Sequence, residues 1–316
     1  MPDHQRSSLI DAFERGSIFF DLDASWNPPT ADRRELLPAL RDRGVATVAL
    51  QYDLFPCTHP EWFTPEVVRE FAAHLDAHLG VRSSFLCISE HTRSTLIAYA
   101  EAGGFDPPDT TVIPMGVIPI GVLPVDAAAH SSSEPYFLAV GTVEPRKNLG
   151  VVLDAFEGLR STHPSANLVI VGRPGWNSDG VIERLRSHPA GVEWRTDVSD
   201  AELEELYREA HAVVVASVTE GFGLPVIEAL AHRVPVLSST GGSLVEAGGE
   251  IAEYFDPRSA DELRSLMARH LDDPDHHQAR RELTRAFSPP SWHDAARAVA
   301  VALQGRGGLE ATPALE

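Results

Sequence analysis

Short apolar runs alternate with amphipathic stretches along almost the whole chain. SIFFDLD (17–23), VATVALQYD (45–53), SSFLCIS (83–89) and TTVIP (110–114) are rich in β-branched and aromatic residues and read as four strands. Between them RRELLPALRDRG, the stretch opened by Thr64-Pro65, and HTRSTLIAYAEAGG carry apolar residues at helical spacing, with Val67, Phe71 and Leu75 on one face of the second. Beyond residue 135 six more runs, YFLAVG, NLVIVG, VEWRTDV, HAVVVAS, VPVLSS and IAEYF, each precede a helical segment. Two of those helices open with capping-box spacing, Ser199 to Glu202 and Ser259 to Glu262. Strand-helix alternation predicts an α/β protein with parallel sheets, and six such units complete a doubly wound domain.

Residues 127–135, AAAHSSSEP, break the alternation with small, polar and Pro residues and mark a boundary. The expected division is a first domain over 1–130, a second over 131–304 and a disordered tail over 305–316. A length of 316 residues suits two domains, and 43% hydrophobic residues supplies cores for both. The formal charge of -20 argues against nucleic acid and anionic membrane as partners. Cys57 and Cys87, without CxxC spacing, indicate neither a disulfide framework nor a cysteine zinc site, which suits a reducing compartment. MPDHQRSSLIDAF has no apolar leader segment, and no run approaches the roughly 20 apolar residues that span a bilayer. A cytoplasmic location, free or at the membrane periphery, is the expectation.

Doubly wound sheets bind ligands beyond the C-terminal ends of their strands, so the loops there carry the chemistry. After YFLAVG comes TVEPRKN, which sets Arg146 and Lys147 just before a helix N-terminus. Neither GxGxxG nor GxxxxGK[ST] is present. Two cations at the positive end of a helix suit a diphosphate; they would also suit a solvated helix start. Lys147 is the sole lysine among 26 basic residues, which suggests a site where the wider guanidinium will not serve. Being on a loop, it is expected to contribute little to thermal stability. After HAVVVAS comes VTEGFGLPVIEAL: Gly221 and Gly223 let backbone amides approach a ligand, Pro225 fits a first helical turn, and Glu220 and Glu228 stand at either end. Carboxylates suit sugar hydroxyls, which donate hydrogen bonds; one capping and one surface Glu is the plainer alternative. The TGGSLVEAGG loop after VPVLSS is Gly-rich in the same way.

GTVEPRKNL, EGFGLPVIEAL and SLVEAGGEIAEYFDP together resemble the donor-binding half of retaining glycosyltransferases of family 4, whose GT-B fold pairs two Rossmann-like domains. The resemblance runs from about Tyr136 to Phe287, and its Glu-x7-Glu element is Glu220 to Glu228. It implies that Glu220 and the amides of Gly221, Phe222, Gly223 and Leu224 meet the transferred sugar and the phosphates. Glu228 would take the ribose hydroxyls, and Arg146 and Lys147, with Gly141 and Thr142 at the head of their loop, the diphosphate. Thr142 stands where many members carry Arg. In ALQYDLFPCTHPEWF the pair Tyr52-Asp53 replaces a His-Asp pair, which places Asp53 near the transferred sugar; a Tyr there is similar to the mannosyltransferase-like branch. No Gly-rich loop follows a first strand, so the acceptor-side domain reads as shortened at its start, and self-association or a partner subunit is expected to cover the exposed sheet edge. The resemblance implies a metal-independent hexosyltransferase without a cofactor, GDP-mannose as first donor, and a saccharide or lipid-linked saccharide acceptor. The alternatives are a catalytically silent sugar-nucleotide-binding subunit and a sugar-nucleotide epimerase.

Other groupings are weaker. His74 and His78 lie four apart on a helix without HExxH, a pattern read as a solvated face. Asp21 and Asp23 end a strand and suit an edge or turn, and Trp176 could stack on a nucleobase or close a loop.

Overall fold

The computed structural model describes residues 10–22, 32–117, 135–304 and 306, and strands, helices and side-chain groupings are counted over these residues. Four strands, β1 (Ile18–Asp21), β2 (Ala46–Gln51), β3 (Ser84–Cys87) and β4 (Thr110–Val112), form one parallel sheet in the order β1-β2-β3-β4. Six more, β5 (Tyr136–Val140), β6 (Asn167–Val171), β7 (Val192–Arg195), β8 (Ala212–Val215), β9 (Val236–Ser239) and β10 (Glu253–Phe255), form a second in the order β10-β9-β8-β5-β6-β7. All ten strands lie within the apolar runs that the sequence singles out, and every pairing is parallel.

In the second sheet the two-residue side-chain period sorts apolar residues onto two faces, each covered by helices. Phe137, Ala139, Leu168, Ile170, Ala212 and Val214 join one core, with Val152, Phe156, Leu263 and Met267 from the helices Leu149–Arg160 and Ala260–Asp272. Tyr136, Leu138, Val169, Val171, Val213 and Val215 point the other way and meet Leu206, Tyr207, Val226 and Leu230. Burial on both faces is why these strands read as continuous apolar runs. In the first sheet Phe71, Leu75 and Leu79, one turn apart on the helix Pro65–Gly80, pack with Phe85 and Cys87. Thr64 caps that helix through the Val67 amide, and Ser89 caps the helix Glu90–Ala102 through Thr92.

Three expectations change. The compact units are residues 1–115 with 292–316, and residues 116–291, so the last helix, Trp292–Gln304, belongs to the first unit and not the second. Its Ala298, Val299, Ala302 and Leu303 pack with Val48, Leu86 and Ile113 of the first unit. Residues 127–134 of the proposed linker, Asp23 and nearly all of the 305–316 tail lie outside the described residues. Ser199 and Glu202 form a reciprocal capping box, whereas Glu262 turns its carboxylate to the Asp256 amide and leaves the Ser259 box half made. His78 does not face solvent: it is fully buried, with Nε2 3.1 Å from Asp21 Oδ2 and Nδ1 2.9 Å from Ser83 Oγ. Asp21, buried at the end of β1, also accepts from Arg33 Nε at 2.6 Å and from Arg33 Nη2 at 3.0 Å. A carboxylate so enclosed requires such partners.

Where β5 and β6 end, the chain segments converge tightly. Gly141 donates its amide to Val171 O at 2.9 Å, and a Cβ on Gly172 would lie 1.9 Å from the Gly141 carbonyl oxygen. Gly172→Ala must therefore push two loops apart, and a loss of about 3 kcal/mol is expected. Urea unfolding measures it; an unchanged midpoint would show that the two loops are not held in this register.

Candidate active site

β5 and β8 are neighbours whose connections leave in opposite directions, β5 toward β6 and β8 toward β9. Such a reversal opens a crevice at the C-terminal ends of the two strands, the place where doubly wound sheets bind ligands. The strand order of the first sheet contains no reversal among the described residues. The two loops at the switch point are residues 141–148 and 216–223, the ones that carry the basic pair and the Glu-Gly-Phe-Gly turn.

Pro145–Lys147 form one 3-10 turn, which ends in Asn148, left-handed at φ 55°. Asn148 Nδ2 donates to Ala216 O at 3.1 Å and to Pro257 O at 2.6 Å, so one amide fastens three loops. The Val218 amide donates to Arg146 O at 2.8 Å and locks the second loop against the first. That lock brings the side chains together. Lys147 Nζ donates to Glu220 Oε1 at 2.6 Å, and Ser217 Oγ donates to the same oxygen at 2.7 Å. Arg146 bridges two carboxylates, one arm on Glu220 Oε2 and the other on Glu144 Oε1. The side chains are only 9% (Glu220), 5% (Glu144), 13% (Lys147) and 19% (Arg146) exposed, so these are enclosed ion pairs and not surface ones.

Burial alone would push the Glu220 carboxyl up. The charges of Lys147 and Arg146, with hydrogen bonds from Lys147 and Ser217, more than offset this and hold it below the usual carboxylate range. The Lys147 stem crosses over Gly141, where a Cβ would come within 2.9 Å of Cε. Glu220 takes one of the three Nζ donors.

The Glu220 carbonyl accepts from Ser243 N at 3.1 Å and Oγ at 2.9 Å, which is how the TGGS loop after β9 enters the site. Gly223, left-handed, is the N-cap of the helix Leu224–Ala231, with Pro225 in its first turn. Glu228 lies on that helix, its Oε2 accepting from the buried Tyr207 hydroxyl at 2.8 Å.

The structure thus joins Arg146, Lys147 and Glu220 directly and places Gly141, Thr142, Gly221, Phe222 and Gly223 along the same two loops, with Leu224, 40% exposed, opening the helix that follows the second. Glu228 stands apart on the helix. Asp53 belongs to the first unit, where its Oδ1 accepts from the Phe55 amide at 3.1 Å. The sequence reading overlooked Glu144, Ser217, Asn148 and Tyr207; Glu144 and Asn148 stand close to the basic pair in the chain, but their burial, which gives them their roles, comes only with the fold. Lys147 also neutralises an enclosed carboxylate, so its loss is now expected to lower stability, where its loop position alone suggested little effect.

Residues 126–287 match the family described as glycosyl transferases, group 1. The serotype-specific mannosyltransferase WbdA of Escherichia coli is 31% identical over 250 residues, 73% of this chain and 30% of that protein. The O-antigen chain mannosyltransferase B of Escherichia coli is 29% identical over 249 residues, 75% of this chain and 63% of that protein. The chain therefore spans less than two thirds of the length of these relatives. Among solved structures, a UDP-forming α,α-trehalose-phosphate synthase from Burkholderia xenovorans in complex with glucose-6-phosphate superposes with a TM-score of 0.70 at 14% identity, covering 95% of this chain and 74% of that one. That likeness shows the fold, GT-B with two Rossmann-like units. No helix among the described residues is long and apolar enough to cross a membrane. With the family model matching over half its length, the chain belongs to the group 1 glycosyl transferases.

Proposed function

We propose that the chain is a retaining, metal-independent hexosyltransferase that takes a sugar, first of all mannose from GDP-mannose, from a nucleotide diphosphate donor to a saccharide or lipid-linked saccharide acceptor. The observation that carries this reading is the Arg146–Lys147–Glu220 cluster at the β5/β8 switch point, beside the N-terminus of the helix Leu224–Ala231. The two mannosyltransferase relatives support the choice of sugar.

Glu220 is poorly placed to attack a sugar carbon. Its oxygens are engaged by two cations and a hydroxyl, and a carboxylate so stabilised is a weak nucleophile. The chemistry falls instead on the leaving group. As the bond between the sugar anomeric carbon and the phosphate oxygen breaks, charge gathers on the departing diphosphate. The remaining Lys147 donors and the amides of the turn that leads into the helix, Phe222 to Leu224, are the groups to receive it. An acceptor hydroxyl oxygen then bonds to that carbon and passes its proton to the departing phosphate oxygen. Glu144 and Glu220 keep the two cations in place before the donor arrives, so little reorganisation is left for the transition state. Transfer by the purified chain with GDP-mannose and a mannoside acceptor tests the reading. Donor binding without hydrolysis or transfer would favour a silent subunit.

Glu228, held by Tyr207 at one oxygen, has the other to offer a ribose diol. Glu228→Ala should weaken GDP binding by about 1 to 3 kcal/mol. Glu220→Gln should depress turnover more than GDP affinity. Calorimetry and steady-state kinetics on both variants check this, and equal losses of affinity would contradict the division.

Lys147→Ala should cost turnover on the order of 2.7 to 4 kcal/mol, roughly a hundredfold to a thousandfold. Lys147→Arg should recover only part, because the fork must fit over Gly141. Wild-type turnover in Lys147→Arg would make the lysine incidental. The alanine variant also has a pH signature. With its folded pKa depressed, Glu220 contributes stability that is present above its unfolded value, about 4.3, and lost as pH falls through the folded value. Removing Lys147 raises that folded value, so acid unfolding should begin at higher pH than in the wild type. Coincident acid-unfolding curves would show that the ion pair does not set the Glu220 titration.

A further inference from the structure

Four of the fourteen histidines gather at one place, at the opposite edge of the second sheet from Glu220. Strands β8 and β10 run parallel to the others, with His211 just before β8 and Glu253 the first residue of β10. Both therefore mark the N-terminal edge, away from the ligand crevice. His270 comes from the helix Ala260–Asp272, and His276 and His277 from the helix Pro274–Thr284.

We propose that Glu253, His270 and His276 form a structural site for one divalent transition-metal ion of the zinc class. His270 Nε2 lies 2.7 Å from Glu253 Oε2, and His276 Nε2 lies 3.1 Å from each Glu253 oxygen. Two imidazole nitrogens and a carboxylate are a zinc-type donor set. With metal bonds of about 2.0 to 2.2 Å, tetrahedral neighbours stand about 3.3 Å apart, so the three donors need part only slightly. His270 is wholly buried, while His276 is 12% exposed, which leaves a way in for the ion and for a water as fourth ligand.

The surroundings complete the site. His270 Nδ1 lies 3.0 Å from His277 Nδ1. When Nε2 binds metal, the proton moves to Nδ1 and donates to His277, the outer hydrogen bond that orients metal-bound histidines. His277 stacks on His211 with ring centres 3.9 Å apart, and His211 Nε2 is fixed on His270 O at 3.0 Å. Arg280, with Nε 3.4 Å from Glu253 Oε2, is the one competing cation among these contacts. It also donates to the Glu250 and Ile251 carbonyls and can stay there when the carboxylate turns to a metal. The other groupings serve less well. In Asp21, His74 and His78 both carboxylate oxygens are held by Arg33, and in His211, His270 and His277 the first is spent on a backbone carbonyl. An ion here would fasten the edge strand β10 to the two helices that follow it, far from the chemistry of the donor.

Tag-free full chain, stripped with a chelator, is titrated with Zn2+ by calorimetry and with Co2+ by visible absorption. One ion per chain, the absorption bands of four-coordinate Co2+, and a higher melting temperature with Zn2+ are expected. His276→Asn and Glu253→Gln, shown by circular dichroism to be folded, should bind at least tenfold more weakly, and His188→Asn, at an exposed loop position, should match the wild type. Absence of stoichiometric binding, or wild-type affinity in both site variants, would leave the cluster a hydrogen-bonded staple and overturn the proposal. Neither outcome bears on the nucleotide site.

Discussion

An enclosed carboxylate must be neutralised, and in this chain that requirement organises the crevice. Glu220 sits in the loop between β8 and the helix Leu224–Ala231 and is almost out of contact with water. Left alone it would take up a proton or open the loop. Lys147, Arg146 and Ser217 prevent both, and the loops that carry them are held by backbone and Asn148 contacts to the same neighbours. The cluster is formally balanced, two cations against Glu220 and Glu144, so its use lies in fixed direction and not in excess charge. Its donors are thus fixed in direction next to the turn that starts the helix Leu224–Ala231.

The sheet makes such a cluster possible. Strand order β10-β9-β8-β5-β6-β7 reverses direction between β5 and β8, so the connections after these two paired strands leave in opposite directions. The close approach of Gly172 to Gly141 fixes where the β5 loop turns, and Gly141 in turn leaves room for the Lys147 stem. Packing on both faces of the sheet and charge placement at its rim are thus coupled through two positions where a side chain would not fit.

Much of this was legible in the amino-acid sequence because parallel strands buried on both faces leave unbroken apolar runs, as in YFLAV and AVVV. The loops that follow them were equally plain, since Gly221, Gly223 and Pro225 have few roles outside a tight strand-to-helix turn. Side-chain partnerships were not legible. Glu144 stands two residues from Arg146 and looks like any surface acid until the fold buries it, and Glu220 lies 73 positions from Lys147. Nor does an amphipathic helix carry an address: WHDAARAVAVALQ follows the second sheet in sequence yet covers the first. His78 failed for a related reason, because burial at a helix end depends on Asp21, 57 residues away.

The central claim is that Arg146 and Lys147 hold the diphosphate of the donor, and a comparison of GDP with GMP tests it without any assumption about the acceptor. Calorimetry on the wild type and on Lys147→Ala gives the contribution of the second phosphate in each. GDP should bind at least tenfold more tightly than GMP in the wild type, and most of this advantage should disappear in the variant. An advantage of the same size in both proteins would mean that the phosphate lies elsewhere and would contradict the account.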